Sequence, residues 1–257
     1  MDLKGRTFIV TGGSSGLGAA CARRFARRGG HVVIADVDAA QGAALAQQIG
    51  GPVRFVRVDV TEEDGVGGAI AAAQDLADGD GLRGLVNCAG IAAGEKLVGK
   101  DGPHPLAVFA RIVQINLTGT FNAMRLCAAA MAGNEPLATG ERGVIINTSS
   151  VAAFEGQIGQ AAYAASKGGV AAMTLPAARE LARHGVRVVT IAPGLFETPM
   201  MASFPDKVRQ SLAESCVFPP RFGRPDEYAA LAEHVIENSM LNGAVLRLDG
   251  SVRLPSR

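Results

Sequence analysis

Thr7-Phe8-Ile9-Val10-Thr11-Gly12-Gly13-Ser14-Ser15-Gly16-Leu17-Gly18 is the stretch that decides the fold. Its apolar, branched run is short and ends in glycines, which predicts a buried strand. A helix is expected over residues 16–28, stopped by Gly29-Gly30. Between strand and helix lie Gly12, Gly16 and Gly18. Glycine accepts positive φ and carries no Cβ, so backbone N–H groups there can approach a pyrophosphate. The helix N-terminus adds partial positive charge at the same point. The spacing is GxxxGxG rather than the commoner GxGxxG, and a tight turn needing glycine for geometry alone explains the same residues.

Outward from this unit, strands are predicted over residues 31–35, 53–58, 82–87, 144–147, 186–191 and 245–248. Helices are predicted over 39–49, 106–131, 159–183 and 225–238. Thr61 and Asp64 resemble a capping box that opens a further helix through about residue 77. Residues 92–105 read as an irregular excursion. Strand and helix alternate with no linker or break in composition. That pattern implies an α/β fold: a Rossmann-type doubly wound parallel sheet in three layers, one domain over residues 1–257. Ligands in such sheets bind beyond the carboxyl ends of the strands.

Composition narrows the classes. Hydrophobic residues make up 48% and charged residues 19%, which fits a globular chain and excludes disorder. A net charge of +1 gives no footprint for nucleic acid as the primary partner. No apolar run approaches a membrane span, so no membrane partner is expected. Cys21, Cys88, Cys127 and Cys216 are scattered, and His31, His104, His184 and His234 are isolated, so no metal site is expected. The first residues run almost directly into the first strand, leaving no room for a leader, and a cytoplasmic location is expected.

Two groups of residues point to chemistry. Asp36 ends the second strand, where a carboxylate can accept hydrogen bonds from an adenosine ribose and would repel a 2′-phosphate. No Arg or Lys stands at Ser14, Ser15 or Val37, so NAD is the expected cofactor rather than NADP. Asp59-Val60 and Asn87-Cys88-Ala89-Gly90 end the third and fourth strands on the same edge, where the Asp can bond an adenine amino group and the small residues at 88–90 let a cofactor lie close, although ordinary turn chemistry explains them too. Tyr163 and Lys167 are four residues apart on a predicted helix and share one face. A neighbouring ammonium is expected to lower the phenol pKa from about 10 and so make a base. Ser150 follows the fifth strand and can donate to a substrate oxygen. Asn116 falls mid-helix, where it holds a proton-relaying water or merely kinks the helix.

In this order, the glycine turn, Asp36, Asn87-Cys88-Ala89-Gly90, Asn116, Ser150 and Tyr163-x-x-x-Lys167 resemble the short-chain dehydrogenase/reductase family over essentially the full length. The resemblance implies catalytic Ser150, Tyr163 and Lys167, with Asn116 completing a tetrad. Asn134-Glu135-Pro136, residues 143–148 and 151–157, and Ala192-Pro193-Gly194-Leu195-Phe196 look like the type II 3-hydroxyacyl-CoA dehydrogenases within it. That resemblance implies that Ser15, Leu17, Asp36, Asp59, Val60, Cys88, Phe196 and Thr198 help to bind NAD, and that the enzyme is a homotetramer. It also places substrate against Ser150, Gln157 and Tyr163. Two departures are an excursion at 92–105 shorter than in animal members and the absent leader.

Residues 193–225 form the expected substrate-binding loop, in which Leu195, Phe196, Met200, Met201, Phe204 and Leu212 read as an apolar lid. A subunit interface or ordinary core is the competing reading. The expected activity is oxidation of a secondary alcohol, foremost 3-hydroxyacyl-CoA to 3-ketoacyl-CoA in fatty acid metabolism. Steroid dehydrogenase, 3-oxoacyl carrier-protein reductase and a non-catalytic NAD-binding scaffold are the alternatives.

Overall fold

Branched apolar side chains occupy both faces of the central strands, so the sheet can be stable only with helices packed against each side. The structure, a computed structural model, describes residues 1–202, 204 and 206–256. Its strands are β1 (Thr7–Thr11), β2 (His31–Asp36), β3 (Val53–Arg57), β4 (Leu82–Asn87), a small pair β5 (Val98–Gly99) and β6 (Gly102–Pro103), β7 (Gly143–Thr148), β8 (Val186–Pro193) and β9 (Val245–Leu248). The helices are α1 (Gly16–Arg27), α2 (Ala39–Ile49), α3 (Glu63–Leu76), α4 (Leu106–Val113), α5 (Gly119–Ala132), α6 (Ala161–Leu181), α7 (Pro199–Ala202), α8 (Asp206–Glu214) and α9 (Pro225–Glu237).

Seven strands form one parallel sheet in the order β3-β2-β1-β4-β7-β8-β9, a Rossmann-like α/β fold. Strand alternation sorts the core. Phe8, Val10, Val32, Ile34 and Ile146 pack with α1, α2 and α9, whereas Ile9, Val33, Ile145 and Val188 pack with α3, α5 and α6. Each such side chain, when fully buried, contributes roughly 1.5–3 kcal/mol relative to exposure. The chain runs outward from β1 through β2 to β3 and then returns to β4 on the other flank. The crevice this reversal leaves is at the carboxyl ends of β1 and β4.

Three expectations about local structure need correction. The capping box at Thr61 and Asp64 does not form: α3 begins at Glu63 without a side-chain cap. Thr61 instead donates its N–H and Oγ1 to Asp59 Oδ1, at 2.9 and 2.7 Å. The excursion at 92–105 carries the antiparallel pair β5–β6. The single helix expected over 106–131 is interrupted between α4 and α5 by a π-helical turn, Gln114–Thr118, with Asn116 at its centre. A π-turn inserts one residue without breaking the apolar stripe, so periodicity does not reveal it. Residues 193–225, expected as the substrate-binding loop, carry α7 and α8, and neither helix buries a residue. Ser203 and Pro205, within that segment, lie outside the described residues. Among the described residues, no helix is long and apolar enough to cross a membrane.

Candidate active site

The turn after β1 is packed too tightly for side chains. Gly12 has φ +59°, and a Cβ there would lie 2.7 Å from the Ala89 nitrogen, so the turns after β1 and β4 touch through backbone. A Cβ on Gly18 would stand 2.2 Å from the Gly12 carbonyl oxygen. At Gly16, with φ +51°, an added Cβ would reach toward Thr198 at 3.5 Å. The result is a bare backbone cradle with Thr198 on its far side. Ser15 is the N-cap of α1 and makes no capping bond with its side chain, while Leu17 sits half-buried beside it.

Asp36 reaches back into this turn. Its Oδ2 accepts from the Ser14 N–H at 3.0 Å and from Ser14 Oγ, and its Oδ1 accepts from the Asp38 N–H at 3.1 Å. A carboxylate offers about four acceptor positions, so room for a further donor remains. Sequence marks Ser14 only as a position lacking positive charge. Its partnership with Asp36, 22 residues away in sequence, required β1 and β2 to be neighbours.

At the ends of β3 and β4 the side chains are largely committed to the scaffold. Asp59 holds Thr61, and the Val60 carbonyl accepts from Asn122 Nδ2 at 2.9 Å. Asn87 is buried, accepts from Thr11 Oγ1 at 3.2 Å and donates to Asn147 Oδ1 at 2.9 Å. Its carboxamide therefore belongs to a polar ladder across β1, β4 and β7 and is turned away from an open site. Cys88 Sγ accepts from Thr148 Oγ1 at 3.6 Å. Phe196 is 6% exposed and packs in the core beneath Gly223 rather than serving as a lid side chain. Thr198 Oγ1 accepts from the Met201 N–H at 3.2 Å.

The chemical cluster forms where β7 ends. The Ala152 N–H donates to Ser150 Oγ at 3.1 Å, leaving the serine proton to donate to the Tyr163 oxygen. Lys167 is 5% exposed, and its Nζ donates to the Thr148 carbonyl at 2.9 Å and lies 5.9 Å from the centroid of the Tyr163 ring. The lowered phenol pKa expected from Lys167 does not result. Burial pushes the Tyr163 phenol up, and the bond from Ser150 only partly offsets it. Burial also pulls the Lys167 ammonium down to about 8, against the pull of Cys88. The Asn116 side-chain hydrogen bonds go to Ile91 and Ser166. The carboxamide clamps Ile91, accepting from its N–H at 2.8 Å and donating to its carbonyl at 2.9 Å, and donates to Ser166 Oγ at 3.1 Å. Thr148 and Ile91 are thus positioning groups that residue type alone did not reveal.

The titration of Lys167 has a measurable consequence. Its folded pKa lies below the ordinary 10.5, so between about pH 8 and 10.5 the unfolded chain binds more protons than the folded one. Stability from this group therefore rises with pH across that window, by at most about 3 kcal/mol. The penalty is fully present below about pH 8. Lys167→Met removes it, so the variant's stability relative to wild type should decline from pH 7.5 to 10 in urea unfolding. A pH-independent difference would contradict the assignment.

Beside the cluster, a cleft of about 400 Å³ runs between residues 95–98 and 156–164, with Leu97, Val98, Gln157 and Ile158 among its walls. None of Leu195, Phe196, Met200, Met201 and Phe204, which the sequence reads as an apolar lid, lines this cleft. A larger, polar hollow of about 630 Å³ lies by Met1, Lys4 and Arg28, at the amino-terminal edge of the sheet and away from Tyr163. Among the described residues, no group of His, Cys, Asp or Glu could hold a metal ion.

A glycine-lined turn at the switch point, with Ser150, Tyr163 and Lys167 beyond it, invites comparison with known proteins. The profile of the short chain dehydrogenase family matches residues 6–209. The chain belongs to the short-chain dehydrogenase family. As such it is an oxidoreductase that uses a nicotinamide cofactor and a small-molecule substrate. This short-chain dehydrogenase is 50% identical over 254 residues to 3-hydroxyacyl-CoA dehydrogenase type-2 of Drosophila melanogaster, covering 98% of this chain and 99% of that one. It is 50% identical over 261 residues to the human protein of the same name, covering 98% and 97%. The crystal structure of 3-hydroxyacyl-CoA dehydrogenase type-2 from Mycobacterium avium matches with a TM-score of 0.93 at 44% identity, over 98% of both chains.

Proposed function

We propose that this enzyme oxidises the 3-hydroxyl group of a 3-hydroxyacyl-CoA to a ketone, with NAD as the oxidant. The observation that carries it is the Tyr163 phenol bonded to Ser150 with Lys167 alongside. The names of relatives half identical over nearly the whole chain support the substrate class. Tyr163 takes the hydroxyl proton as general base. Ser150 donates to the substrate oxygen and holds it near the phenol. Lys167 keeps a positive charge beside the developing phenolate, and Asn116 fixes the backbone at Ile91.

The cradle fits a dinucleotide. Gly12, Ser15, Gly16, Leu17 and Gly18 would hold its pyrophosphate, and Asp36 the adenosine ribose. Asp59, Val60, Asn87 and Cys88 shape the floor, and Phe196 and Thr198 the opposite wall, with Tyr163 and Lys167 at the nicotinamide end. The nicotinamide, when bound, supplies the hydride acceptor. NAD over NADP rests on Asp36, whose carboxylate would meet a 2′-phosphate without a compensating cation. Residues 193–225 act as the substrate-binding loop, and Gln157 faces the acyl chain from the cleft. Lys96, at the cleft mouth, attracts the CoA phosphates.

Kinetics with 3-hydroxybutyryl-CoA, free 3-hydroxybutyrate and a steroid alcohol test the reading, each with NAD and NADP. The CoA thioester with NAD should give by far the highest kcat/KM, falling as salt rises. Asp36→Ala should narrow the NAD preference. Equal turnover of the free acid or steroid would eliminate the acyl-CoA assignment, and equal use of NADP the role of Asp36.

Two further parts of the proposal are a homotetramer and a cytoplasmic location. Exposed Leu106, Phe109, Phe121 and Leu175 on α4, α5 and α6 support assembly, which sedimentation at about four times the chain mass would verify. All four cysteines are free, in keeping with a reducing compartment, which cell fractionation checks.

A further inference from the structure

β9 and the residues after it tie the segment 154–158, part of one wall of the cleft, to the loop at 194–218. On one side Glu155, two residues before Gln157, receives Arg247 in a forked pair: Nη1 to Oε1 at 2.8 Å and Nη2 to Oε2 at 3.2 Å. Arg253 Nε adds a contact to Oε1 at 3.2 Å, and the Leu254 N–H donates to Oε2 at 3.3 Å. The Ile158 N–H then donates to the Ser256 carbonyl at 3.0 Å, and the Arg247 guanidinium stands 5.6 Å from the centroid of the Phe154 ring. On the other side the Phe218 N–H donates to the Gly250 carbonyl at 3.3 Å. A Cβ on Gly194 would lie 2.9 Å from the Asp249 Cα, so the tail also sits against the start of the substrate-binding loop.

A solvated helix pair would be worth little, but this one is different in geometry. Glu155 is 22% exposed on its side chain, is held by a bidentate guanidinium, and accepts a backbone N–H as well. The pull of Arg247 holds its carboxyl below the usual carboxylate range, so the cluster stays charged at neutral pH. The segment's other hydrogen bonds are local: the Phe154 and Glu155 N–H groups each donate to the Val151 carbonyl at 3.0 Å, and the Gln157 N–H to Gln160 Oε1 at 3.0 Å. Phe154 and Ile158 are more than half exposed and contribute little packing of their own.

We infer that Arg247 of β9 together with residues 249–256 forms a strap that fixes the 154–158 wall of the cleft, and that Glu155 is a positioning residue for substrate through Gln157 and Ile158. This rests on the proposed reading that the cleft takes the acyl chain. The strap also ties that wall to the loop at 194–218, through the Gly250 carbonyl and the backbone at Asp249.

The test compares Glu155→Gln, which keeps shape and removes charge, with Arg253→Gln, whose side chain is 60% exposed. Amide exchange and kinetics are read on the full chain. In Glu155→Gln the amides of residues 155–160 should exchange about tenfold faster while those of β7 are unchanged. KM for 3-hydroxybutyryl-CoA should rise about five- to tenfold, with kcat and the KM for NAD within about twofold of wild type. Arg253→Gln should move both readouts the same way by less. Unchanged protection in Glu155→Gln, or faster exchange with an unchanged KM, overturns the inference. Should Glu155→Gln fail to fold, unchanged protection in Arg253→Gln overturns it equally. If the wild type does not turn over the thioester, that failure belongs to the substrate reading, and the exchange measurement then decides the strap by itself.

Discussion

Tyr163→Phe should lower kcat/KM by ~10²- to 10⁴-fold while leaving cofactor affinity within about twofold of wild type. The loss corresponds to ~3–5 kcal/mol of transition-state stabilisation. The substitution removes one oxygen, the atom bonded to Ser150, and keeps the ring that packs near Lys167. The glycine cradle and Asp36 lie elsewhere and are not touched. Steady-state kinetics beside a fluorescence titration of the reduced cofactor separate the two effects. The pH profile adds a second handle. Burial holds the Tyr163 phenol above its ordinary value, so wild-type oxidation should climb into the alkaline range. Residual activity in Tyr163→Phe should lack that rise. Turnover within a few-fold of wild type would assign the base to another group.

Gly18→Ala should weaken both the fold and the cofactor site, because the new methyl carbon would stand 2.2 Å from the Gly12 carbonyl oxygen and 2.8 Å from its carbon. Both obstacles are backbone, so no side chain can rotate away. Either α1 moves off the turn or the turn opens, and overpacking of this kind costs about 1–3 kcal/mol. For a domain of this size that is a fall of several degrees in Tm, at about 2–4 °C per kcal/mol. Cofactor affinity should fall at the same time, since the N–H groups that line the cradle are displaced. Gly67→Ala is the control. It lies in α3 with nothing within 4 Å of an added Cβ, and should stabilise slightly through helix propensity, by up to about 1 kcal/mol. A Gly18→Ala protein as stable as wild type with unchanged cofactor affinity would show that the close approach has no energetic or functional weight.

The sequence by itself determined the alternation of strands and helices. Helix 39–49 and strand 82–87 have the bounds read from pattern alone, as Ala39–Ile49 and Leu82–Asn87. Strands buried on both faces must be continuous apolar runs, and glycine is required where backbone meets backbone, so both leave a local mark. The order of Asp36, Ser150, Tyr163 and Lys167 along such a scaffold was legible for the same reason: each falls at a strand end or on one helix face.

Only the tertiary structure decided what those residues touch. Asp36 clasps Ser14, and Asn87 is spent on Thr11 and Asn147, because β1 lies between β2 and β4 and β4 between β1 and β7, an order absent from any local pattern. Phe196 turned into the core rather than over a substrate, since an aromatic ring in an irregular segment carries no periodicity to say which way it faces. The π-turn at Asn116 leaves no mark in the sequence because one inserted residue leaves the apolar stripe intact. The raised phenol at Tyr163 reversed a pairing argument made from spacing, because desolvation depends on burial and outweighs a neighbouring charge already committed to the Thr148 carbonyl. Sequence placed the chemistry at one edge of a sheet; through-space neighbours, and the water they exclude, set its hydrogen bonds and its proton affinities.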